Sequence, residues 1–511
     1  MKSFLKLFFI SLLVVQSSGT FAVTAKTSPF NLLIAPGTLT DQSATLLWDK
    51  QSEINNAVYE ILLGGKIVGS TDKTNFTLTK LRPGAQYKVQ LQLKGQPRAA
   101  KKNVLSFRTA LKGKMYNVLD YGAKGDGRFK NTKAIQSAID ACTPGGTVYI
   151  PEGTFLSGAL FLKSNMTLYI ASGAVLKGSG LLEDYLPMTY NRFEGWEMKT
   201  YASLINAGTL NRDGSYNVHN LGITGKGMIM GGGSKLGKAM IAASGIRSRG
   251  RLICLMNCQD VSISGLTVTA PPAWTIHYIY SDNVTCHDLT INTVGVANGD
   301  GIDPDSSTDS YIFNCTFSTG DDCIAIKSGK NPEGFTIGKP TRNVRITNCN
   351  FIKGHGISIG SEMSGGVSDV LVQDCKAAAL LHGMQIKGTK ERGGYVENVM
   401  VAHCQLMQVT IYSAVNYNND GAAAPQIPTF KNFVFSDLDL SAADSKEPVI
   451  DINGFKDPGH RLQNVLFKDI SLPDNAKIMI KNAENVKFIN IRSSADNKPN
   501  YNINNSKNIH Y

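Results

Sequence analysis

From Asp260 onward the polar and apolar positions fall into one repeated frame. An Asn or Asp comes first, apolar residues take the second, fourth and ninth places, and Cys or another apolar residue takes the seventh. Copies begin at Asp260, Asn283, Asp309, Asn343, Asp369, Asn398, Asn432 and Asn464, with a shortened copy at Asn485, spaced 21 to 34 residues apart. NVRITNCNF, DVLVQDCKA and NVMVAHCQL are examples. The alternation within each copy predicts one short strand, and the near-regular spacing predicts that strands stack coil upon coil. A coil of this size cannot bury its apolar side alone, so the pattern predicts a parallel β-helix over residues 116–511 whose core is continuous between neighbours. One helical pattern interrupts the strands. In NTKAIQSAIDAC the residues Ala134, Ile135, Ala138, Ile139 and Cys142 make one apolar face, which predicts a cap on the open N-terminal end of the stack.

Ahead of this region, residues 28–110 carry period-two patterns: SATLLWDK, AVYEILLGGKIVG, NFTLTKL, YKVQLQL and VLSFRT, with Gly64 and Gly65 at a hairpin turn. Short strands separated by turn signals predict a small β-sandwich. Trp48, Tyr59 and the run LRPGAQY ending in Tyr87 resemble the core tryptophan and tyrosine corner of a fibronectin type III domain. Such a fold serves many roles, so a spacer or docking module is expected.

Charge changes the picture little. The 511 residues carry a net charge of +12, but residues 26–115 hold 14 basic and 5 acidic side chains, and residues 116–511 retain only +1. The basic field belongs to the front module, and no nucleic-acid-binding motif accompanies it. Residues 1–25 combine Lys2 and Lys6, an apolar run from Phe8 to Val15 and small residues around Ala22 and Ala25, the layout of a cleavable export signal. Beyond it there is no apolar run of about 18 residues, so no membrane insertion is expected. The expectation is a secreted or periplasmic protein, acting as a monomer.

Among nine cysteines, Cys315, Cys349, Cys375 and Cys404 take the seventh frame position, where other copies have Leu266, Leu289, Leu438 or Ile470. They read as small core residues. Stacked strands lie about 4.8 Å apart, wider than the Cβ separation a disulfide prefers, so free thiols are expected. Their spacing follows coils rather than zinc-ligand pairs, and no metal site is expected.

A second alignment lies within the same copies. DGIDPD from Asp300, DCIAIK from Asp322, HGISIG from His355 and HGMQIK from His382 share one form. With the apolar positions inward, the first position stacks Asp300, Asp322, His355 and His382. The outward face carries Asp303 and Asp305, then Ala325 and Lys327, Ser358 and Gly360, and Gln385 and Lys387. Asp321, one residue before Asp322, is expected at a bend or bulge that re-aims its side chain. Three carboxylates therefore meet from two adjacent coils. Mutual repulsion makes one of them easier to protonate, and an acid beside an ionised base is what glycoside hydrolysis requires. A solvated Asp pair on a turn, or a calcium site, is the alternative.

The ordered set NGDGIDPD, GDDCIAIK, GHGISIGS and IKG resembles the glycoside hydrolase family 28 polygalacturonases, and NVLDYGAKGDG and GGTVYIPEGTF resemble the entrance coils of the wider pectin-degrading β-helix group. The resemblance spans residues 116–511 and implies a right-handed, pectin lyase-like β-helix. It implies that Asp321 is the general acid, that Asp300 and Asp322 activate water with inversion, and that His355 supports the acid and the sugar. Lys387 would hold a galacturonate carboxylate, Tyr417 would complete that subsite, and Asn298 matches the family's Asn in the first motif. Gly299 stands where the family usually has Thr. Gln385 stands where the family usually has Arg, whose fork pairs with carboxylates in a way glutamine does not. Either another base, such as Lys327 or Arg392, takes over that task, or the residue next to the cut bond is not a plain galacturonate. Asp303, Lys327 and Trp274 are expected to contact substrate with Gln385, and the aromatic segment 185–201 reads as an irregular loop that either stacks on sugars or packs on its scaffold.

The expected activity is hydrolysis of α-1,4-linked galacturonan, an acidic polysaccharide, without a cofactor. A fibronectin-like module ahead of the helix resembles the family's bacterial exo-acting members, which cut from the non-reducing end. A calcium-dependent pectate lyase and a non-catalytic polysaccharide-binding β-helix are the alternatives.

Overall fold

The computed structural model describes residues 30–50, 57–95, 104–414, 421–493 and 498–511. The expected export signal at 1–25 and the expected subsite residue Tyr417 lie outside these described residues.

Residues 30–110 form two small antiparallel sheets. One joins Leu33–Ile34, Ala44–Leu47 and Asn75–Leu78; the other orders Lys66–Thr71, Tyr59–Leu63, Gln86–Leu93 and Val104–Arg108. Gly64 and Gly65 make the hairpin turn at φ 59° and 84°, where a Cβ would be strained. Trp48 meets Tyr59 edge-on at 5.4 Å, and the Tyr87 hydroxyl accepts from the Arg82 backbone N–H at 2.7 Å. This module sits against the long domain. Asn314 Nδ2 donates to Asn75 Oδ1 at 2.9 Å, Lys50 pairs with Asp374, and Ala35 and Leu47 pack on Phe313.

From Met115 to His510 the strands pair in parallel from one coil to the next, in one sheet that winds as a right-handed β-helix. A single core runs from Tyr116 to Phe488. The helix Thr132–Ala141 buries Ile135, Ala138 and Ile139 against its first coils, as its pattern predicts. Between Cys258 and Ile326 each coil carries three strands, such as Cys258–Ser264, Thr267–Thr269 and Ile276–Ile279. The middle strands have only three residues, too few to show a period in sequence.

The structure explains the Asn or Asp that opens every frame copy. Each of these residues has positive φ, from 54° at Asn343 to 62° at Asn432, the left-handed region that Asn and Asp tolerate best among side-chain-bearing residues. Their side chains also form a ladder along the stack. Asn432 Nδ2 donates to Asn398 Oδ1 at 3.2 Å, Asn464 to Asn432 at 3.0 Å and Asn508 to Asn485 at 3.0 Å. The frame residue thus turns the chain into the strand, and where it is Asn its amide also bonds to the coil before it. All nine cysteines are buried and none forms a disulfide.

Candidate active site

Coil pairing brings the four aligned segments into the predicted register. Ile302 pairs with Ile324, Ile324 with Ile357, and Ile357 with Met384. These four side chains enter the core, so Asp303, Ala325, Ser358 and Gln385 face outward by alternation. Asp300, Asp322, His355 and His382 stack at the strand entrances, with the two imidazoles edge-on at 5.8 Å.

Asp321 lies where the chain bends between the strands Thr316–Ser318 and Ile324–Ile326. Its Oδ1 accepts from the Asp322 backbone N–H at 2.9 Å, which fixes the turn. On the next coil, strand pairing shifts between Gly354 and Gly356, whose φ values are 136° and 112°. A Cβ at Gly354 would lie 2.1 Å from Thr319 Oγ1, so only glycine lets the chain pass beneath the Asp321 turn. This break aims His355 sideways, with Nδ1 2.9 Å from Asp321 Oδ1 and 3.9 Å from Asp322 Oδ1.

Each acid has its own partners. Asp322 accepts from Ser358 Oγ at 2.8 Å and faces Lys387 Nζ at 3.6 Å. Asn298 Nδ2 reaches Asp321 Oδ2 at 3.4 Å, and Arg249 donates to Asn298 Oδ1 at 2.8 Å, which fixes the amide's orientation. Asp300 Oδ2 lies 3.6 Å from Lys327 Nζ. The environments push the acids apart. Burial raises Asp321, but its bond to His355, helped by Lys327 and Lys387, outweighs this and holds it below the usual carboxylate range. That bond raises His355 in turn. Burial and the neighbouring Asp303 raise Asp300 well above the carboxylate range. One cluster therefore sets a carboxyl group biased toward its protonated form beside a carboxylate biased toward its ionised form by an imidazole.

Several expected substrate contacts lie deeper than the sequence suggests. Trp274 is 2% exposed; one face stacks on Phe193 at 4.7 Å and the ring also meets Lys327 and Arg251. No face is left for a sugar. Asp303 is fully buried, and Lys327, at 4% exposed, is as buried as Asp300 and Asp322 at 3% and 4%, with its Nζ held 3.6 Å from both Asp300 and Asp303. Gln385 is 3% exposed, and its Oε1 accepts from Ser358 Oγ at 3.3 Å, so it meets the site through Ser358. Arg392 is fully buried, donates to the Ser361 carbonyl and Asn331 Oδ1 at 2.7 and 2.6 Å, and helps hold the Glu362 carboxyl ionised.

The covering element is the segment expected as an irregular loop. Thr189–Phe193 and Trp196–Thr200 form an antiparallel hairpin across the outer face of the coils. Arg192 at its centre is fully buried and pairs with Asp305 at 2.7 Å, while His277 Nε2 reaches the other Asp305 oxygen at 3.3 Å. Trp196 Nε1 donates to the Asn331 carbonyl at 3.0 Å. The segment's aromatics mostly pack on the scaffold, with Tyr185 and Phe193 buried. A run of outward-facing charge is thereby converted into interior, which period-two reading does not foresee. Arg249, outside every motif, gave no sequence signal. Gly299 also has a local reason: a Cβ there would lie 2.8 Å from the Val296 carbonyl, in a turn closed by Thr293.

Donor atoms of Asp321, Asp322 and His355 lie within 4.8 Å of one another. A cation there would have to displace the proton that joins His355 to Asp321 and compete with the Lys387 ammonium at Asp322. The donor set suits a proton better than an ion.

Residues 192–495 match the sequence profile of glycosyl hydrolases family 28. The chain belongs to this family. It is 27% identical to an exo-poly-alpha-D-galacturonosidase of Dickeya chrysanthemi over 94% of either chain. It is also similar to the structure of a family 28 exopolygalacturonase of Yersinia enterocolitica, with 26% identity, a TM-score of 0.84 and coverage of 94% of this chain and 99% of that one. A hyperthermoactive exopolygalacturonase of Thermotoga maritima is similar at 26% identity and a TM-score of 0.63, over 74% of this chain and 91% of that one. As a family 28 member the chain is a glycoside hydrolase, and its four ordered motifs supply the acid cluster described above.

Proposed function

We infer that this family 28 enzyme hydrolyses the α-1,4 bonds of polygalacturonate, releasing sugar from the non-reducing end with inversion. The observation that carries the reading is the meeting of Asp300, Asp321 and Asp322 with His355 and Lys387 from successive coils. Similarity to exo-acting relatives supports the mode of cutting.

In this mechanism the Asp321–His355 pair holds one proton, which rests on the imidazole in the free protein. When a sugar bridges the site, the anionic substrate and the loss of water raise Asp321. The proton then crosses the 2.9 Å hydrogen bond and passes from Asp321 to the leaving oxygen. Asp322, oriented by Ser358 and Lys387, and Asp300 hold the attacking water on the opposite side of the sugar. Lys387, with part of its side chain exposed, meets the galacturonate carboxylate. Residues 28–110 serve as a fibronectin-like docking module fixed to the helix, and residues 1–25 direct export to the periplasm or medium. No helix among the described residues is long and apolar enough to cross a membrane.

The test is chromatography of products from polygalacturonate. Short product of a single size from the first moments supports exo-hydrolysis, and an early ladder of oligomers rejects it.

A further inference from the structure

Behind Asp300 lies a group of charges that the proposed mechanism does not use. Lys327 Nζ is 3.6 Å from Asp300 Oδ2, 3.6 Å from Asp303 Oδ1 and 3.9 Å from Glu362 Oε2. Three carboxyl groups thus face one ammonium in a space closed by Trp274, whose ring covers Lys327 at 4.7 Å. Asp303 is fully buried, and neither of its carboxylate oxygens finds an N–H or O–H donor; Asp300 Oδ1 finds none either. Buried carboxylates are normally supplied with donors. Asp300 and Asp303 both lie 3.6 Å from Lys327 Nζ, and the Asp300 side chain acts on Asp303 as a hydrogen-bonding neighbour. A proton lodged between the two carboxyls satisfies both orphaned groups and lowers the excess negative charge.

We propose that Asp303 is a positioning residue for Asp300: the two carboxyl groups share one proton above Lys327, and hydrolysis proceeds from the form in which Asp303 holds it. In that form Asp303 donates to Asp300, whose ionised carboxylate faces the attacking water. This rests on the reading of Asp300 as a water-binding group. Uptake of a second proton by the pair ends that role, so the pair sets the acid side of the pH profile.

The surrounding charges agree with a shared proton. Burial raises both groups, Asp303 to about 7, and Lys327 opposes the rise in each. Asp321 and Asp322 add negative charge toward Asp300, and Asp322 and Glu362 toward Asp303. From two coils back, Arg249 adds positive charge toward Asp300 and Arg251 toward Asp303. The Tyr278 hydroxyl and the Cys323 thiol approach Asp303 and Asp300 and remain neutral, raised chiefly by burial. Glu362, Asp300 and Asp303 outweigh the effect of burial on Lys327 and keep it charged.

Two measurements test this on the full chain. Infrared spectra of the free protein at neutral pH show a protonated-carboxyl band that Asp303→Asn removes; this readout needs no substrate and stands apart from whether galacturonan is hydrolysed. In pH profiles of kcat/KM on oligogalacturonates, Asp303→Asn, whose amide mimics the protonated acid, retains at least about a tenth of the activity on the plateau and leaves the acid limb within about one unit of its wild-type position, because Asp300 takes up its proton beside a neutral neighbour in both proteins. Lys327→Gln moves the limb up. An unmoved limb in Lys327→Gln, a band that survives Asp303→Asn, or loss of hydrolysis by that variant at every pH overturns the proposal. If Asp303→Asn fails to fold, the upward shift in Lys327→Gln and its retained band decide the matter.

Discussion

His355 touches Asp321 twice: its Nδ1 lies 2.9 Å from the carboxylate, and its backbone N–H donates to the Asp321 carbonyl, also at 2.9 Å. The second bond fixes the coil-to-coil distance, and the first then has its geometry set by the backbone. Proton transfer between the two side chains is therefore prepared by the fold before substrate arrives.

Removing the acid gives the first prediction. Asp321→Asn keeps the shape of the turn but cannot pass on a proton, so kcat falls about 10²- to 10⁴-fold with little change in KM. Reducing-end release from polygalacturonate measures it. Wild-type rates in the variant would mean that Asp321 is not the acid.

The alkaline limb of kcat/KM should lie above 6.5, because the Asp321 bond raises His355 from that value and activity is lost as the pair gives up its proton. In His355→Gln the proton must be held by Asp321 alone, and without the imidazole the limb falls toward the carboxylate range. Activity at neutral pH then drops by about 10²-fold or more. An unchanged limb would assign it to another group.

Ser358 and Gln385 separate direct from indirect support of Asp322. Ser358→Ala removes a hydrogen bond to a charged group, about 1.5–3 kcal/mol, and lowers kcat/KM about ten- to a hundredfold. Gln385→Leu removes only the more distant acceptor of that hydroxyl and lowers kcat/KM less than about tenfold. Equal losses would place Gln385 on the substrate after all.

Chelation distinguishes proton from cation chemistry. With His355 and Lys387 occupying the acids, hydrolysis continues at full rate in excess chelator and yields no unsaturated product. Loss of activity restored by calcium would favour eliminative cleavage.

The ladder offers a test of stability. Asn432 has φ 62° and bonds to Asn398 and Asn464. Asn432→Ala should lower stability by about 1–3 kcal/mol through backbone strain and lost hydrogen bonds. Asn432→Gly should recover the backbone part alone, read from thermal unfolding. Equal losses in both would assign the whole effect to the hydrogen bonds.

The coil architecture was legible because its repeat is carried by side-chain type: Asn at the turn, Val or Ile inward, Cys where space is small. The stacking of Asp300, Asp322 and His355 followed from the same repeat, since alignment of the motifs equals the register of the strands. Depth was not legible. Asp303, Lys327 and Trp274 belong to an outward face that becomes interior only because the hairpin 189–200, more than 70 residues upstream of Trp274, is laid over it by Arg192 and Asp305. A period reports which way a side chain leaves its own strand, and a distant segment decides what it then meets. Arg249 was invisible for the same reason, since its effect reaches Asp321 only through Asn298.

Nine sealed thiols, from Cys142 in the cap to Cys404 in the later coils, give the molecule a set of internal markers along its axis. A thiol reagent can reach each only when that turn of the solenoid opens. The order in which these sites become labelled under mild denaturant would therefore chart where the stack comes apart first, with no probe added to the chain.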